Sequence, residues 1–490
     1  MKTRFIRERA LATRNCPPVN AGNSVRFGVV SRRARRILPA MTSARVLLLA
    51  FSWLVSLADP LCAAPEAILV VTGDQHSSYA QTPRFVGLLD RLRAENPGVP
   101  FAVLLNGDTQ EYGNVVARRS HGAVDFAMFA ALARRVPTYL NLGNHDPEFY
   151  DVAETVRRVR ETGVVPLSNL RARGGALFTE PLARLKLGTL DAVLVGVTTD
   201  HLSTYRVPIR PELDLANPAV WAKEKFPELL AAAPLKIVLS HSGLEADRAI
   251  LPLLPAGTLF AGAHDHLRFV HRERGVTYFH SGCWNSHASI VRLHDAASGT
   301  PRWEIEQVAL DASVPADPEL AALAAAQLNE HLTPEDRAVV AKLPVALAPV
   351  DAAKAVVESL RAAAGVDAAF VGNTTFGGGL PAGEVTKFDF DACVRFEGAI
   401  FVAEVSAEQL RDLVPRSNQG PDTAWGKRRG DFLVAALPAE IAPGRTYRIA
   451  TTDWGAKNTR AYFGADPGWR EAPGLKLKEL ALRALAAAGR

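Results

Sequence analysis

The segment AILVVTGDQH, residues 67–76, predicts both the type of fold and the beginning of a functional site. Its first six residues form a short apolar run rich in branched side chains, which is typical of a buried strand. The run ends at a glycine, and Asp74 and His76 follow at once. In open α/β sheets, the loops just past the carboxyl ends of strands carry the residues that act on ligands. This segment therefore predicts a strand that delivers a carboxylate and an imidazole to a site.

The same arrangement recurs along the chain. Four further apolar runs predict strands, namely FAVLLN (101–106), VPTYLNL (136–142), LKIVLS (235–240) and TLFAGA (258–263). The polar residues at or just past their ends are Asp108, Asn144, His145, His241, His264 and His266. Five loops that supply carboxylates, imidazoles and one amide predict a single site for two divalent metal ions. Mixed nitrogen and oxygen ligands suit Zn, Mn, Fe or Ni, whereas Ca and Mg prefer oxygen alone.

Two-metal hydrolases hold their ions about 3.5–4 Å apart, and a shared carboxylate screens the repulsion between them. Asp108 is the natural bridging ligand. Asp74 and His76 would bind the first ion together with His266, and Asn144, His241 and His264 would bind the second.

His145 directly follows a predicted ligand, so its side chain would point past the metals towards a leaving oxygen. An imidazole can donate a proton there at working pH. Asp146 and Glu148 are candidates to orient it, and we assign Asp146 with His145 to the catalytic group. His201, which lies outside the motifs, is a candidate for substrate contact.

These motifs resemble the signature D-x-H … G-D … G-N-H-[DE] … H … G-x-H of the calcineurin-like metallophosphoesterases, over roughly residues 66–295. One departure is Ala263, which stands where the last motif often has Gly-x. The resemblance implies an α/β (α+β) fold, a four-layer β-sandwich flanked by helices. It also implies attack of a metal-bound hydroxide on phosphorus while His145 assists the leaving group. We expect TYFHSG and ASIVRLH to be consecutive antiparallel strands that finish the second sheet.

We expect the catalytic domain to span residues 65–311 and an Ala-rich helical connector to span 312–342. Residues 343–490 then predict a second α/β domain, which resembles the C-terminal domain of the exported 5′-nucleotidase family. Asn373, Leu380, Pro381 and Gly383 match that family's loop, but the Arg that follows its Gly pair is absent. Arg395 is a candidate to supply the missing cation. Candidates for stacking on a nucleobase are Phe432, Trp454, Tyr462 and Phe463.

The net charge of +5 comes from the first 63 residues, which hold 11 of the 56 Lys and Arg but only two of the 51 Asp and Glu. The remainder therefore has 45 basic and 49 acidic side chains, and this balance gives no support for nucleic-acid binding. Residues 46–58 form an apolar run shorter than the roughly 20 residues of a membrane span, and small residues follow it. Residues 1–63 thus predict a cleaved leader, with a true start possible at Met41 and a periplasmic or extracellular protein.

We expect an exported two-metal hydrolase of a small phosphate ester, most simply a nucleotide, that acts as a monomer without a stable membrane span. Two other enzyme interpretations are open: a thiosulfohydrolase-like enzyme, or a cyclic-nucleotide or nucleotide-sugar diesterase. A metal-stabilised binding protein without turnover is the alternative from another class.

Overall fold

Residues 64–488 are described by the computed structural model, and the predicted leader, residues 1–63, lies outside this range. The strands up to residue 309 are, in chain order, β1 (Ala67–Thr72), β2 (Phe101–Asn106), β3 (Thr138–Asn141), β4 (Val165–Leu167), β5 (Arg171–Ala172), β6 (Leu182–Leu187), β7 (Leu190–Thr198), β8 (Leu213–Asp214), β9 (Leu235–His241), β10 (Leu259–Gly262), β11 (Arg268–Glu273), β12 (Val276–Ser281), β13 (His287–His294) and β14 (Arg302–Ala309). All five runs predicted as strands are strands.

Two six-stranded sheets form the first half of the described chain. One has the order β14-β13-β1-β2-β3-β4 and the other the order β11-β12-β10-β9-β7-β6. Strands β1 to β4 run parallel to one another, and β10 runs parallel to both β9 and β12. The carboxyl ends of β1, β2 and β3 thus share one edge of the first sheet.

Helices cover the outer faces of both sheets. Those before residue 332 are α1 (Thr82–Glu95), α2 (Val115–Arg119), α3 (Ala123–Ala133), α4 (Val152–Glu161), α5 (Pro218–Leu229), α6 (Leu244–Ile250) and α7 (Pro318–His331). In β1, Ile68 and Val70 pack against helices, whereas Leu69 and Val71 pack between the two sheets. Both faces of the strand are buried, which explains its continuous apolar sequence. The layers are helix, sheet, sheet and helix, as the resemblance implied.

One prediction about the sheets is wrong. Strand β12 lies in the second sheet, but β13 pairs with β1 in the first sheet, so the two are not neighbours in one sheet. The connecting loop contains Trp284 and Asn285, whose φ angles of 55° and 46° turn the chain from one layer to the other. The sequence of two apolar strands separated by a short loop does not indicate that the chain passes from one sheet to the other between them.

The remaining strands are β15 (Val339–Leu343), β16 (Ala368–Gly372), β17 (Gly383–Thr386), β18 (Ala399–Ser406), β19 (Leu433–Ala436), β20 (Thr446–Thr452) and β21 (Arg470–Lys476). The remaining helices are α8 (Pro349–Ala363), α9 (Lys387–Cys393), α10 (Ala407–Leu413), α11 (Asp453–Lys457), α12 (Thr459–Phe463) and α13 (Leu477–Ala488). A five-stranded sheet has the order β19-β16-β20-β18-β21, and β15 pairs with β17.

The domain limits stay predictions, because residues from 64 onward form one compact unit. Within it, the apolar side chains buried at residues 341–485 group into clusters of their own. Helix α7 forms where the connector was expected, but β15 begins inside that stretch and pairs with β17. Among the helices of residues 64–488, none is both long and apolar enough to cross a bilayer.

Candidate metal centre

The loops after β1 and β2 lie side by side and continue the pairing of the two strands. The backbone N–H of Asp74 donates to the carbonyl of Gly107, and that of His76 donates to the carbonyl of Asp108, both at 2.9 Å. The carboxylate of Asp74 then accepts from the backbone N–H of His264, at 3.0 Å, in the loop after β10. Hydrogen bonds thereby join one motif from each of three strands.

Five of the seven predicted ligands have left-handed backbone. They are Asp74, His76, Asp108, His264 and His266, with φ between 49° and 84°. Residues other than glycine rarely adopt this conformation, and those that do cluster at functional sites. The surrounding hydrogen bonds offset the cost of this conformation. The conformation directs the five side chains inward.

The predicted ligands gather into two groups in which all donor atoms lie within 4.8 Å of one another. One group is Asp74, His76 and His266, and the other is Asp108, His241 and His264. Each group contains three of the four residues assigned from sequence to one ion; the first lacks the shared Asp108 and the second lacks Asn144. A third cluster within the same distance joins His76 to Glu111 and His145, which were not predicted as ligands. Asn144 lies beside the second group, since the next residue donates its backbone N–H to Asp108 at 2.7 Å.

Hydrogen bonds orient the imidazoles of both groups. Nδ1 of His241 lies 2.8 Å from the carbonyl of Asn106 and donates to it, which leaves the lone pair on Nε2. That Nε2 lies 3.1 Å from Oδ2 of Asp108. In the other group, Nε2 of His76 faces Nε2 of His266 at 2.9 Å.

The donor set fits transition-metal ions. Three buried atoms in or beside the second group lack a well-aligned hydrogen-bond partner among the described residues: Oδ1 of Asn144, Nε2 of His241 and Nδ1 of His264. Buried polar atoms are normally satisfied, so the lack of partners at these three atoms fits a bound ion. Burial lowers the pKa of His264 to about 3 and that of His76 to about 4, which keeps both rings neutral and able to coordinate.

The pKa values of the two central carboxyl groups are shifted in opposite directions. Burial raises the pKa of Asp74 to about 7. Burial alone would also raise the pKa of Asp108, but His241 and His145 outweigh it and hold this pKa well below its ordinary value. Asp108 is therefore the fixed negative charge between the two groups, as expected of a bridging ligand.

Two glycines allow predicted ligands to pack closely against the backbone of the metal-binding loops. A Cβ at Gly107 would overlap the ring of His241, and a Cβ at Gly143 would overlap the carboxylate of Asp108. Gly107 also has a φ of 77°, which side chains rarely adopt. Each glycine is required by the close approach of a predicted ligand.

His145 is the solvent-accessible imidazole beside the two groups, with a side chain 19% exposed. Its Nδ1 lies 2.7 Å from Oε1 of the buried Glu148. Burial alone would lower the pKa of His145, but Asp108 and Glu148 outweigh it and raise this pKa to about 9. The ring is thus held as an imidazolium able to donate a proton.

Asp146, which was grouped with His145 from sequence, has other partners. Its Oδ2 accepts from the backbone N–H groups of Asp108 and Gly143, at 3.1 and 2.6 Å, and its Oδ1 accepts from Thr109. These bonds hold the loops after β2 and β3 together. A direct catalytic role for Asp146 stays a prediction that its geometry does not favour, whereas Glu148 is placed to orient His145.

Three residues near His76 escaped the sequence analysis or were given another role. Oε2 of Glu111 lies 3.3 Å from Nδ1 of His76 and also pairs with the guanidinium of Arg395. The indole of Trp284 stacks on the His76 ring at a centroid distance of 5.3 Å. Glu111 and Trp284 belong to no motif, and Arg395 was expected to meet substrate.

The other predicted substrate-binding residues are engaged within the protein. Asn373 donates to the carbonyl of Asp265 and accepts from the backbone N–H of Phe432, at 3.0 and 3.1 Å. Phe463 packs edge-on against Phe370 in a buried cluster. Substrate contact by these residues stays a prediction.

Two other candidates for substrate contact have exposed rings. Trp454 is 48% exposed, and its Nε1 lies 3.4 Å from the hydroxyl of the buried Tyr462. His201 has a side chain 69% exposed, and its ring lies 6.4 Å from that of His264. These two are the exposed rings among the candidates for substrate contact named from sequence.

Residues 68–274 match the family model described as calcineurin-like phosphoesterase. No curated protein matches the chain. Among solved structures, a 5′-nucleotidase precursor from Thermus thermophilus is 18% identical, covering 86% of this chain and 96% of that chain with a TM-score of 0.57.

Two further structures are similar. The sulfate thiohydrolase SoxB from Thermus thermophilus is 15% identical, with 88% of this chain and 95% of that chain covered and a TM-score of 0.60. A 5′-nucleotidase from Candida albicans is 10% identical, with 87% and 98% covered and a TM-score of 0.56. At these identities the likeness is one of fold.

The family model covers both groups of predicted ligands and His145, and the similar structures extend over the C-terminal part as well. Residues 68–274 thus match a calcineurin-like phosphoesterase domain, and the described chain shares the fold of the 5′-nucleotidases and SoxB.

Proposed function

We propose that the protein hydrolyses a small phosphate ester at a two-metal centre, with 5′-nucleotidase-like specificity. The observation that carries this proposal is the placement of an accessible imidazole, His145, directly beside two largely buried groups of side chains that could bind metal. A site built only to bind metal has no need for a proton donor at its open face.

In this proposal, Asp74, His76, Asp108 and His266 hold one ion, and Asp108, Asn144, His241 and His264 hold the other. Two divalent ions supply a water nucleophile of lowered pKa and neutralise charge on the phosphoryl oxygens. His145 donates a proton to the departing alcohol, and Glu148 keeps its ring in place.

The fold of the similar structures supports a nucleotide as substrate, since two of them are named as 5′-nucleotidases. Trp454 offers an exposed aromatic face on which a base could stack, a contact worth roughly 1–3 kcal/mol per base. Residues 46–63 support export, and cell fractionation tests that part of the proposal.

The test is turnover of the mature chain, loaded with Mn²⁺ or Zn²⁺, on a panel of nucleoside monophosphates, cyclic nucleotides, nucleotide-sugars and an aryl phosphate. We expect 5′-monophosphates to be preferred, with Trp454→Ala raising KM for them but not for the aryl phosphate. A metal-loaded protein that hydrolyses no member of the panel contradicts the phosphoesterase proposal.

A second candidate is hydrolysis of a sulfur conjugate, as in the sulfate thiohydrolase of similar fold. The observation that favours it is the pairing of Arg395 with Glu111, which removes the cation expected to meet a nucleotide. Slow aryl phosphate hydrolysis together with release of sulfate from a thiosulfate ester would support this candidate.

A further inference from the structure

We propose that Glu111 and Arg395 are positioning residues that hold the imidazole of His76 in its metal-binding orientation. The C-terminal part of the chain would then contribute to metal affinity without supplying a ligand. This inference rests on the proposed function, because it takes His76 as a ligand.

The three side chains form a continuous buried chain of polar contacts. His76 is fully buried, and the side chains of Glu111 and Arg395 are 6% and 5% exposed. Nδ1 of His76 makes no well-aligned hydrogen bond, and Oε2 of Glu111, at 3.3 Å, is the acceptor within its reach. Because Nε2 of His76 faces His266, a proton on Nδ1 that is directed at Glu111 leaves the lone pair where an ion would sit.

Arg395 is needed to hold the carboxylate in place. The same oxygen of Glu111 that faces His76 also accepts from the guanidinium of Arg395. A buried carboxylate without a cationic partner is costly, and loss of one member of such a pair leaves the other uncompensated. Without Arg395, Glu111 would turn towards water or lose its charge, and His76 would lose its acceptor.

A second contact connects the same residues. The indole of Trp284 stacks on His76 with the ring planes at 26°, and the Arg395 guanidinium carbon lies 5.4 Å from the indole centroid. The backbone N–H of Trp284 donates to the carbonyl of Asp74 at 2.6 Å. Imidazole, indole and guanidinium therefore pack together beside the first group of ligands.

Arg395 is fastened on its other side to its own part of the chain. Its Nη1 donates to the carbonyl of Thr374 at 3.2 Å, and its backbone N–H donates to that of Thr375 at 3.0 Å. Two nitrogen atoms of the guanidinium are thus engaged by a carbonyl and a carboxylate within the protein, and only Nε lacks a hydrogen-bond partner among the described residues. These contacts distinguish a positioning role from the substrate-binding role predicted from sequence.

The experiment compares Glu111→Gln, Arg395→Met and Arg395→Lys with a matched control, Arg119→Met. Arg119 and Asp336 also form an ion pair between the early and late parts of the chain, at 2.5 Å, but touch no predicted ligand. Binding of Mn²⁺ and Co²⁺ to EDTA-stripped full-length protein is measured by titration calorimetry, with the visible spectrum of the Co²⁺ form as a report on coordination.

We expect Glu111→Gln and Arg395→Met each to weaken one of the two metal sites by about 10–100-fold, the usual effect of removing a partner of a metal-bound histidine. The double variant should bind no more weakly than Glu111→Gln, because both changes break one contact. Arg395→Lys should recover part of the loss, and the Co²⁺ spectrum should change in Glu111→Gln. Arg119→Met should bind both ions like the unaltered protein.

Three results would overturn the inference. One is a higher KM in Arg395→Met with unchanged metal affinity, which would make Arg395 a substrate-binding residue. Another is equal loss of melting temperature in Arg395→Met and Arg119→Met without loss of affinity, which would make Arg395 a structural tie. Unchanged affinity in the well-folded Arg395→Lys and Glu111→Gln variants is the third. His76→Ala separates the two proposals: if it still binds two ions at full affinity, the ligand assignment fails as well.

Discussion

Asp108 is the residue on which both groups of ligands depend. Its carboxylate lies 3.1 Å from Nε2 of His241 and accepts from the backbone N–H of His145. We expect Asp108→Ala to lose bound metal and turnover together, because it removes the charge shared by the two ions. Metal-assisted stabilisation of several kcal/mol corresponds to a rate loss on the order of a thousand-fold. Elemental analysis of the purified variant, paired with turnover, checks this, and full metal content would contradict the bridging role.

For His145, we expect substitution to separate metal binding from turnover. His145→Ala should keep both ions and lose about 10²–10⁴-fold in kcat, the range for a positioned proton donor. Glu148→Gln should give a smaller loss, since the ring remains but loses the carboxylate 2.7 Å away. The losses should shrink for an aryl phosphate with a good leaving group, which needs little protonation. Equal losses on good and poor leaving groups would remove His145 from the leaving-group role.

At the scale of residues, the sequence identifies the predicted metal ligands but not the side chains that hold them in place. Asp74, His241 and the other predicted ligands can be named because each stands at or near the end of an apolar run. Nothing in spacing identifies Glu111 or Trp284, because their roles arise from contacts across 35 to more than 200 residues of chain. Arg395 could be noticed as a cation, but its partner could not be predicted.

Helix α3 begins under the metal-binding loop and carries a buried carboxyl group. Oδ2 of Asp125 accepts from the hydroxyls of Ser77 and Tyr79, at 3.2 and 2.9 Å. Burial raises the pKa of Asp125 from 3.8 to about 7. Between these two pH values the folded protein binds more protons than the unfolded chain, so this group makes stability fall as pH rises.

Asp125→Asn lacks that titration. We therefore expect the variant to gain about 3 kcal/mol of stability relative to the unaltered protein as pH rises from about 5 to about 8, because about two pH units of this range lie below the folded pKa, at roughly 1.36 kcal/mol per unit. Calorimetric melting of both EDTA-treated proteins at several pH values measures the difference. A stability difference independent of pH would show that Asp125 is ionised in the folded state.

At the scale of elements, prediction from sequence succeeded for strands and failed for their assignment to sheets. Runs such as FAVLLN are buried on both faces, so their composition alone identifies them. The crossing from β12 to β13 depends on two residues with left-handed backbone, Trp284 and Asn285, and although Asn favours that conformation, Trp gives no sign of it. The start of β15 could not be predicted either, because this strand pairs with β17, which is distant in sequence.

For the whole molecule, metal should act as a folding ligand. An ion bound only by the folded state adds about 2.7 kcal/mol at a free concentration about one hundred times its Kd. We expect Mn²⁺ to raise the melting temperature by several degrees over the EDTA-treated protein. His145→Ala should show the same rise, whereas His241→Ala should show less. A rise that survives in His241→Ala would place the stabilising ion elsewhere.

The pairing of β1 with β13 has a consequence for how the chain reaches this structure. Residues 67–71 pair with residues 289–293, so the central strand of the first sheet keeps one open edge until more than two hundred further residues have been made. Contacts so distant in sequence slow folding, and unpaired strand edges invite association between chains. A nascent chain that stops before β13 exposes one edge of this apolar strand, and it would rely on a chaperone until the sheet closes.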